Sequence, residues 1–330
     1  MSTRPSVVAG QGATAATSEE MSRFASLQRR PLHLFTNSDL AEYLNLREKC
    51  DPEAPPWTRV AELARQTQGQ PYKLGAGMFN LSCGDCVTFV ERTLAAACAS
   101  DWRTYWLLAN RLRHKEGRID FLERNFFTLA DWVPNNSWLL QDVTRTLGET
   151  QEFEYTVFRK QFYANLRFGQ DETPAGRAKA ERQAAKVSSV PEKETRQDCY
   201  LPVSELAEAL PLFREGDIVD HSRERSSPGL KPWLECDHVG IILLAPESRE
   251  PLFCSSVPRG ARSESLLQFT RRFPFVKGLK VVRLRADAVP QVEQAISEME
   301  SSALVVPSPM ELDEKQPDAV ACEAPERRAR

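Results

Sequence analysis

Apolar positions recur at helical spacing through the first half of the chain and at strand spacing through the second. Thr36-Asn37-Ser38-Asp39 supplies cap-type residues before Leu40, Tyr43, Leu44 and Leu46, which predicts a first helix. Pro55-Pro56 breaks the chain, and Trp57 to Gln66 reads as a second, amphipathic helix. A turn at Gly69-Gln70-Pro71-Tyr72 and a glycine-punctuated loop over 74–81 follow. Val87, Val90, Leu94 and Ala97 then stand at i, i+3, i+7 and i+10, one buried stripe of a helix in which Glu91 and Arg92 face water. Trp102 to Arg113 predicts another helix, with Tyr105, Trp106, Ala109 and Leu112 on its apolar side and His114 at a solvated, charged end. Trp138 to Leu147 predicts one more.

Past residue 200 the period changes. Ile218-Val219, Val239 to Leu244, Leu252-Phe253 and Lys280 to Leu284 are short β-branched runs separated by turns, the pattern of sheet strands. A helical half followed by a strand-rich half predicts an α+β fold, with the helix that begins near Cys86 packed on a C-terminal antiparallel sheet. Residues 165–199 are charged, alanine-rich and poor in large apolar groups, so they read as a solvated insertion within one domain spanning 31–285. Residues 1–30 read as a disordered leader and 286–330 as a mostly disordered acidic, proline-rich tail.

Composition narrows the classes. With 330 residues and 41% hydrophobic content, the chain has material for a full core. A net charge of −3 gives no pull toward nucleic acid, and no window is long and apolar enough to span a bilayer. The N-terminus carries no export signal, which by itself suggests the cytoplasm. Eight cysteines lack the density of a disulfide scaffold.

Candidate chemistry centres on Ser82-Cys83-Gly84-Asp85-Cys86, a tight turn that opens a helix. Unpaired backbone N–H groups and the helix dipole favour a thiolate there, so Cys86 is a candidate nucleophile with a lowered pKa. A cysteine on a helix is also a common core residue. Cys83 and Cys86 further form a C-x-x-C pair, which is consistent with a redox pair or with half of a zinc site completed by Cys236 and His238. A cysteine nucleophile needs a base. The chain has four histidines, and His238, at the mouth of an apolar strand 152 positions beyond Cys86, is the candidate, with His221 in reserve. Asp131, Trp132, Asn135 and Asn136 sit in an aromatic-rich loop and are candidates to line a groove or to hold the loop through Asx turns.

Gln70-Pro71-Tyr72, Asp85-Cys86-Val87-Thr88-Phe89-Val90-Glu91, Asp131-Trp132 with Asn135-Asn136, Gly216-Asp217-Ile218-Val219 and His238-Val239-Gly240-Ile241 occur in this order. Together they resemble the papain-like cysteine hydrolases of the NlpC type, and within them the N-acetylmuramoyl-L-alanine amidase-like branch, over about residues 57–285. The resemblance implies a papain-like fold and hydrolysis of an amide in peptidoglycan or muropeptides of the bacterial cell wall. No metal or other cofactor is implied, and the location implied is the periplasm. Cys86 becomes the nucleophile and His238 the general base. Tyr72, Asp85, Asp131, Trp132 and Asn136 become substrate-side residues.

The chain departs from that pattern on the next strand. Where relatives carry an orienting histidine, the sequence reads Phe253-Cys254-Ser255-Ser256, which puts Cys254 at the family position and makes Ser255 the candidate substitute. Two alternatives therefore stand beside the hydrolase: a catalytically weakened member that binds muropeptide or protein, and a structural zinc module of Cys83, Cys86, Cys236 and His238.

Overall fold

A computed structural model describes residues 45–73, 83–118, 120, 122–165, 174–225 and 233–301. The expected leader, the loop over 74–81, the far tail and most of the helix expected before Leu46 lie outside the described residues.

After a helical stretch at 45–48, three helices follow: α1 (Pro56–Gln66), α2 (Cys86–Cys98) and α3 (Trp102–Arg113). Pro56 sits in the first turn of α1, where no backbone N–H is needed. Asp85 caps α2 and Asp101 caps α3, each through a carboxylate that accepts the N–H three residues on, at 2.8 and 2.7 Å. Beyond α3 the chain forms a π-helical turn, Thr128–Trp132. It continues through β1 (Leu140–Asp142), β2 (Gln151–Val157), α4 (Arg159–Asn165), α5 (Pro174–Ser188) and β3 (Glu194–Pro202). The C-terminal half supplies β4 (Ile218–Arg225), β5 (Trp233–Leu244), β6 (Pro251–Val257), β7 (Gly260–Ser265), α6 (Leu266–Arg272), β8 (Val276–Leu284) and α7 (Ala288–Ser301).

The strands form one sheet in the order β2-β3-β8-β4-β5-β6-β7, with β1 sharing the edge of β8 that β3 also uses; every pairing is antiparallel. Alternation along β4 and β5 sorts side chains into two layers. Ile218, Val239 and Ile241 pack with Leu63, Phe89, Leu94 and Leu108 of α1 to α3, and with Val292 and Met299 of α7. Val219 and Ile242 face the other way, onto Leu206, Phe253, Leu266 and Phe269. The fold is thus α+β, as expected.

Several expectations are corrected. Trp138 to Leu147 is not a helix: Leu140–Asp142 pairs with β8, and a single 3₁₀ turn follows at Thr144–Thr146. An exposed helix does occupy the insertion, but from Glu194 the chain pairs along its whole length with β2, burying Cys199 and Tyr200. The tail expected from 286 is a helix over Ala288–Ser301, because Ala288, Val292, Ala295 and Met299 form a stripe that closes the helical layer. Glu91 and Arg92 do not face water. Both are buried, at 2% and 3% exposure, because α2 is wrapped by α1, α3 and the sheet.

Candidate active site

Four segments converge at the start of α2. The turn at 69–72 is bonded to β7 through Gly69 N–H to Ala261 C=O (2.7 Å) and Ala261 N–H to Gln70 C=O (2.8 Å). On its other side it bridges to Gly84, whose N–H donates to Pro71 C=O at 3.3 Å. Ser256 of β6 donates to the Gly84 carbonyl at 2.6 Å. Arg92, one turn and a half into α2, reaches back to the Cys83 carbonyl (2.9 Å) and to the side-chain oxygen of Gln70. The buried guanidinium therefore braces both loops that flank Cys86. Sequence reasoning missed this role.

Cys86 is a free, half-buried thiol at the first turn of α2. Its sulfur accepts hydrogen bonds from the backbone N–H groups of Val239 and Val87. Burial nevertheless dominates and pushes the thiol up to about 11, with the Asp85 charge adding in the same direction. The expected lowering of this pKa is thus reversed: the helix-start N–H groups favour the thiolate, but less than the enclosed site disfavours it. Tyr72 stands close enough for its hydroxyl to be raised by burial and then by the charges of Cys86 and Asp85. Cys83 is disulfide-bonded while Cys86 is free, so the two do not pair with each other, and Cys83 offers no thiolate to a zinc ion. The zinc module is corrected on that ground.

His238 immediately precedes the Val239 that bonds the thiol. Its Nε2 lies 2.9 Å from Ser255 Oγ, a diagonal cross-strand neighbour on β6. The imidazole stacks on Phe269, with centroids 5.6 Å apart and planes at 25°, and meets Phe253 edge-on at 5.8 Å. Val239 and Ile241 point to the helical layer, so His238 and Gly240 belong to the opposite side of β5. Gly240 is required there, since a Cβ would come within 2.5 Å of the Cys254 carbonyl and 2.7 Å of the Phe253 ring. The Ile241–Cys254 pair begins the β5–β6 ladder, and His238 precedes it.

A family model described as AmiA-like, N-acetylmuramoyl-L-alanine amidase-like, matches residues 63–272, which hold every element of this site. The chain belongs to this amidase-like family. No curated protein matches it. Among solved structures, a protein of Legionella pneumophila str. Philadelphia 1 is similar with 17% identity and a TM-score of 0.66, over 79% of this chain and 96% of its own. An N-acetylmuramoyl-L-alanine amidase from Bacteroides uniformis is similar with 21% identity and a TM-score of 0.54, over 70% of this chain and 99% of its own. These two likenesses show the shared fold, a mixed helical layer and antiparallel sheet.

Of the remaining candidates of this amidase-like chain, Asp131 and Asn135 line a groove of about 280 Å³ with Arg124 and Arg159, and the others fall into scaffold positions. Cys254 does not face His238; its sulfur points to the helical layer, toward the Ala64 carbonyl at 3.6 Å, and burial pushes it up to about 12. Asn136 is fully buried and donates to the carbonyls of Leu112 (3.0 Å) and Trp132 (2.8 Å). Trp132 is a core residue. Neither lines a groove. Asp131 is held by a two-point ion pair from Arg159, at 2.5 and 2.9 Å. His221, the reserve base, lies in mid-strand of β4, 1% exposed, 2.8 Å from Thr270 Oγ1, and is driven down to about 3 by burial and by His238. His114 is buried rather than solvated and is likewise driven to about 3. Both are neutral packing groups. Among the described helices none is long and apolar enough to cross a membrane.

Proposed function

We propose that the protein is a cysteine hydrolase that cuts an amide bond of peptidoglycan or of a muropeptide, with Cys86 as nucleophile and His238 as general base and then acid. The observation that carries this reading is the hydrogen bond from Val239 N–H to the Cys86 sulfur, which joins the start of α2 to the strand position next to His238. Family membership supplies the substrate class: an amide beside L-alanine of an N-acetylmuramoyl peptide.

In this reading His238 takes the thiol proton as sulfur attacks the carbonyl carbon, which suits a thiol that is neutral at rest. The imidazole rests against Ser255, Phe253 and Phe269, on the side of β5 away from the helical layer, so this reading requires it to turn toward the sulfur for that transfer. The C–S bond forms, the developing oxyanion is held by N–H groups at the start of α2, and the C–N bond breaks as the imidazolium gives its proton to the leaving amine. Water, deprotonated by His238, then attacks the thioester carbonyl; the C–S bond breaks and the proton returns to sulfur. Ser255 acts as the group that orients the imidazole. The papain-like assignment and a periplasmic location belong to the same reading, and the Cys83 disulfide supports an oxidising compartment.

A second reading, a weakened member that binds muropeptide without cutting it, is favoured by the raised Cys86 thiol and the uncharged partner of His238. Incubating an N-acetylmuramoyl-L-alanyl peptide with wild type, Cys86→Ala and His238→Ala, and analysing products by mass spectrometry, separates the two. Cleavage by wild type alone supports the hydrolase. Binding without cleavage by all three supports the second reading, and cleavage that survives Cys86→Ala overturns the mechanism.

A further inference from the structure

The groove that Asp131 and Asn135 line runs between the end of α3 and β3 and shares no lining residue with the Cys86 turn or with His238. Its basic side chains are Lys115, Arg124, Arg159 and Arg196. Two of these are already neutralised. Arg159 carries the two-point pair with Asp131 and a 2.9 Å bond to Glu194, and Glu194 also pairs with Arg196. Glu123, the other acid of the lining, lies 3.7 Å from Arg118. Arg124 and Lys115 are left over: among the described residues neither side chain makes an ion pair or a hydrogen bond. The Arg124 guanidinium is half-buried, 4.5 Å over the Phe126 ring and within range of the Arg113 charge. Arg113 and Arg124 share one nearby carboxylate, that of Glu91, 3.7 Å from Arg113. Burial and then Arg113 push Arg124 down to about 10, so at neutral pH it is a cation held where a cation is disfavoured.

We infer that this groove is a binding site for a phosphate monoester or inorganic phosphate, held by Arg124 and Lys115. Two cations without counter-ions call for two negative charges at one place. A phosphate of this kind carries about −1.5 to −2 charges at pH 7, spread over acceptor oxygens. A carboxylate brings a single charge and leaves one cation unpaired. The guanidinium fork takes two phosphate oxygens at once, and the lysine ammonium adds a mobile point charge. Asn125 and Asn135, bonded to each other at 2.7 Å, give the groove a polar wall beside Arg124. At about 280 Å³ the groove is at the small end of small-molecule sites, with room for a phosphate and the sugar that bears it. The same chemistry therefore has two sources, free phosphate and a phosphorylated sugar.

The test is calorimetric titration of the full-length protein with inorganic phosphate and with N-acetylglucosamine 6-phosphate, at one ionic strength set by chloride. Wild type is expected to bind at least one of them. Arg124→Gln and Lys115→Gln are each expected to bind it about tenfold more weakly, the size of one lost charge-assisted hydrogen bond. Arg271→Gln, which removes an exposed arginine of α6 outside the groove, is expected to bind as wild type does. Tighter binding of the sugar phosphate assigns the site to a phosphorylated sugar, and equal or weaker binding assigns it to free phosphate. The ligand that binds is also expected to raise the urea midpoint of wild type and to leave that of Arg124→Gln unmoved. Lys115 is exposed, so its variant decides the question if Arg124→Gln fails to fold. Absence of binding by both ligands, or binding indifferent to Lys115→Gln, overturns the site. Neither readout involves Cys86 or His238, so failure of this site and failure of the hydrolase reading are separate results.

Discussion

Ser255 Oγ lies 2.9 Å from His238 Nε2, and the neighbouring residue on β6, Cys254, points to the opposite side of the sheet. A hydroxyl therefore contacts the imidazole. As a neutral partner it fixes ring orientation while adding little charge stabilisation to the imidazolium. Ser255→Ala is expected to lower kcat about five- to tenfold, the size of one neutral hydrogen bond, with KM little changed. Ser255→Thr is expected to restore most of the rate. A fall in KM and kcat together, without rescue by threonine, would assign Ser255 to folding instead.

The Cys86 thiol is expected to behave as a neutral group until substrate arrives. Labelling by iodoacetamide, located by mass spectrometry, is expected to accelerate through pH 8 to 10 without a plateau, following a pKa of about 11. Cys254 and Cys98, pushed up to about 12 and enclosed, are expected to react more slowly still. A plateau near neutral pH would instead reveal a preformed thiolate–imidazolium pair.

How much of this was legible in the chain depends on whether the cause was local. Asp85, Asp101 and Pro56 act within a turn of themselves, and the helices they start were readable. The strands carrying Val239 and Phe253 are short apolar runs bounded by turns and were readable too. Gln151–Val157 carried an unread signal, Phe153, Tyr155 and Val157 at strand spacing. Glu194–Pro202 opens with a polar run that its pairing with β2 holds in the sheet, and so shows no apolar period at its start. The side of the sheet that His238 occupies depends on register, which a sequence fixes through every neighbouring strand at once. Arg92 carried a signal that went unread: Phe89-Val90 before it and Thr93 to Ala97 after it leave α2 no solvent face for a charge.

Arg92 offers a test of that bracing. It holds the Cys83 carbonyl and Gln70 from inside the core, so Arg92→Met keeps the volume and loses both bonds. The carbonyl of Cys83 and the Gln70 amide are then left short of a donor, at a cost of about 2–4 kcal/mol in urea unfolding. Activity is expected to fall further than stability explains, because Tyr72 and Cys83 flank the nucleophile. Arg92→Lys reaches at most one of the two acceptors and is expected to fall between. Wild-type activity in a folded Arg92→Met protein would remove the bracing role.

His114 and His221 make acid the condition to which the fold is most exposed. Both are buried and driven to about 3 from the usual 6.5 of a free imidazole, with burial the largest cause. Above pH 7 each is neutral whether the chain is folded or not. As pH falls through 6.5 the unfolded chain takes up two protons that the folded chain refuses until about pH 3. The unfolded state then binds more protons, so stability falls with falling pH across that window. The slope approaches about 1.4 kcal/mol per pH unit for each histidine, or about 2.7 for the pair. Urea unfolding between pH 7 and pH 4.5 is expected to show this decline, and His221→Gln is expected to lose about half of the slope whatever it does to stability at pH 7. An unchanged slope in that variant would mean that His221 already accepts its proton in the folded state, against its enclosure by Phe253, Phe269 and Thr270.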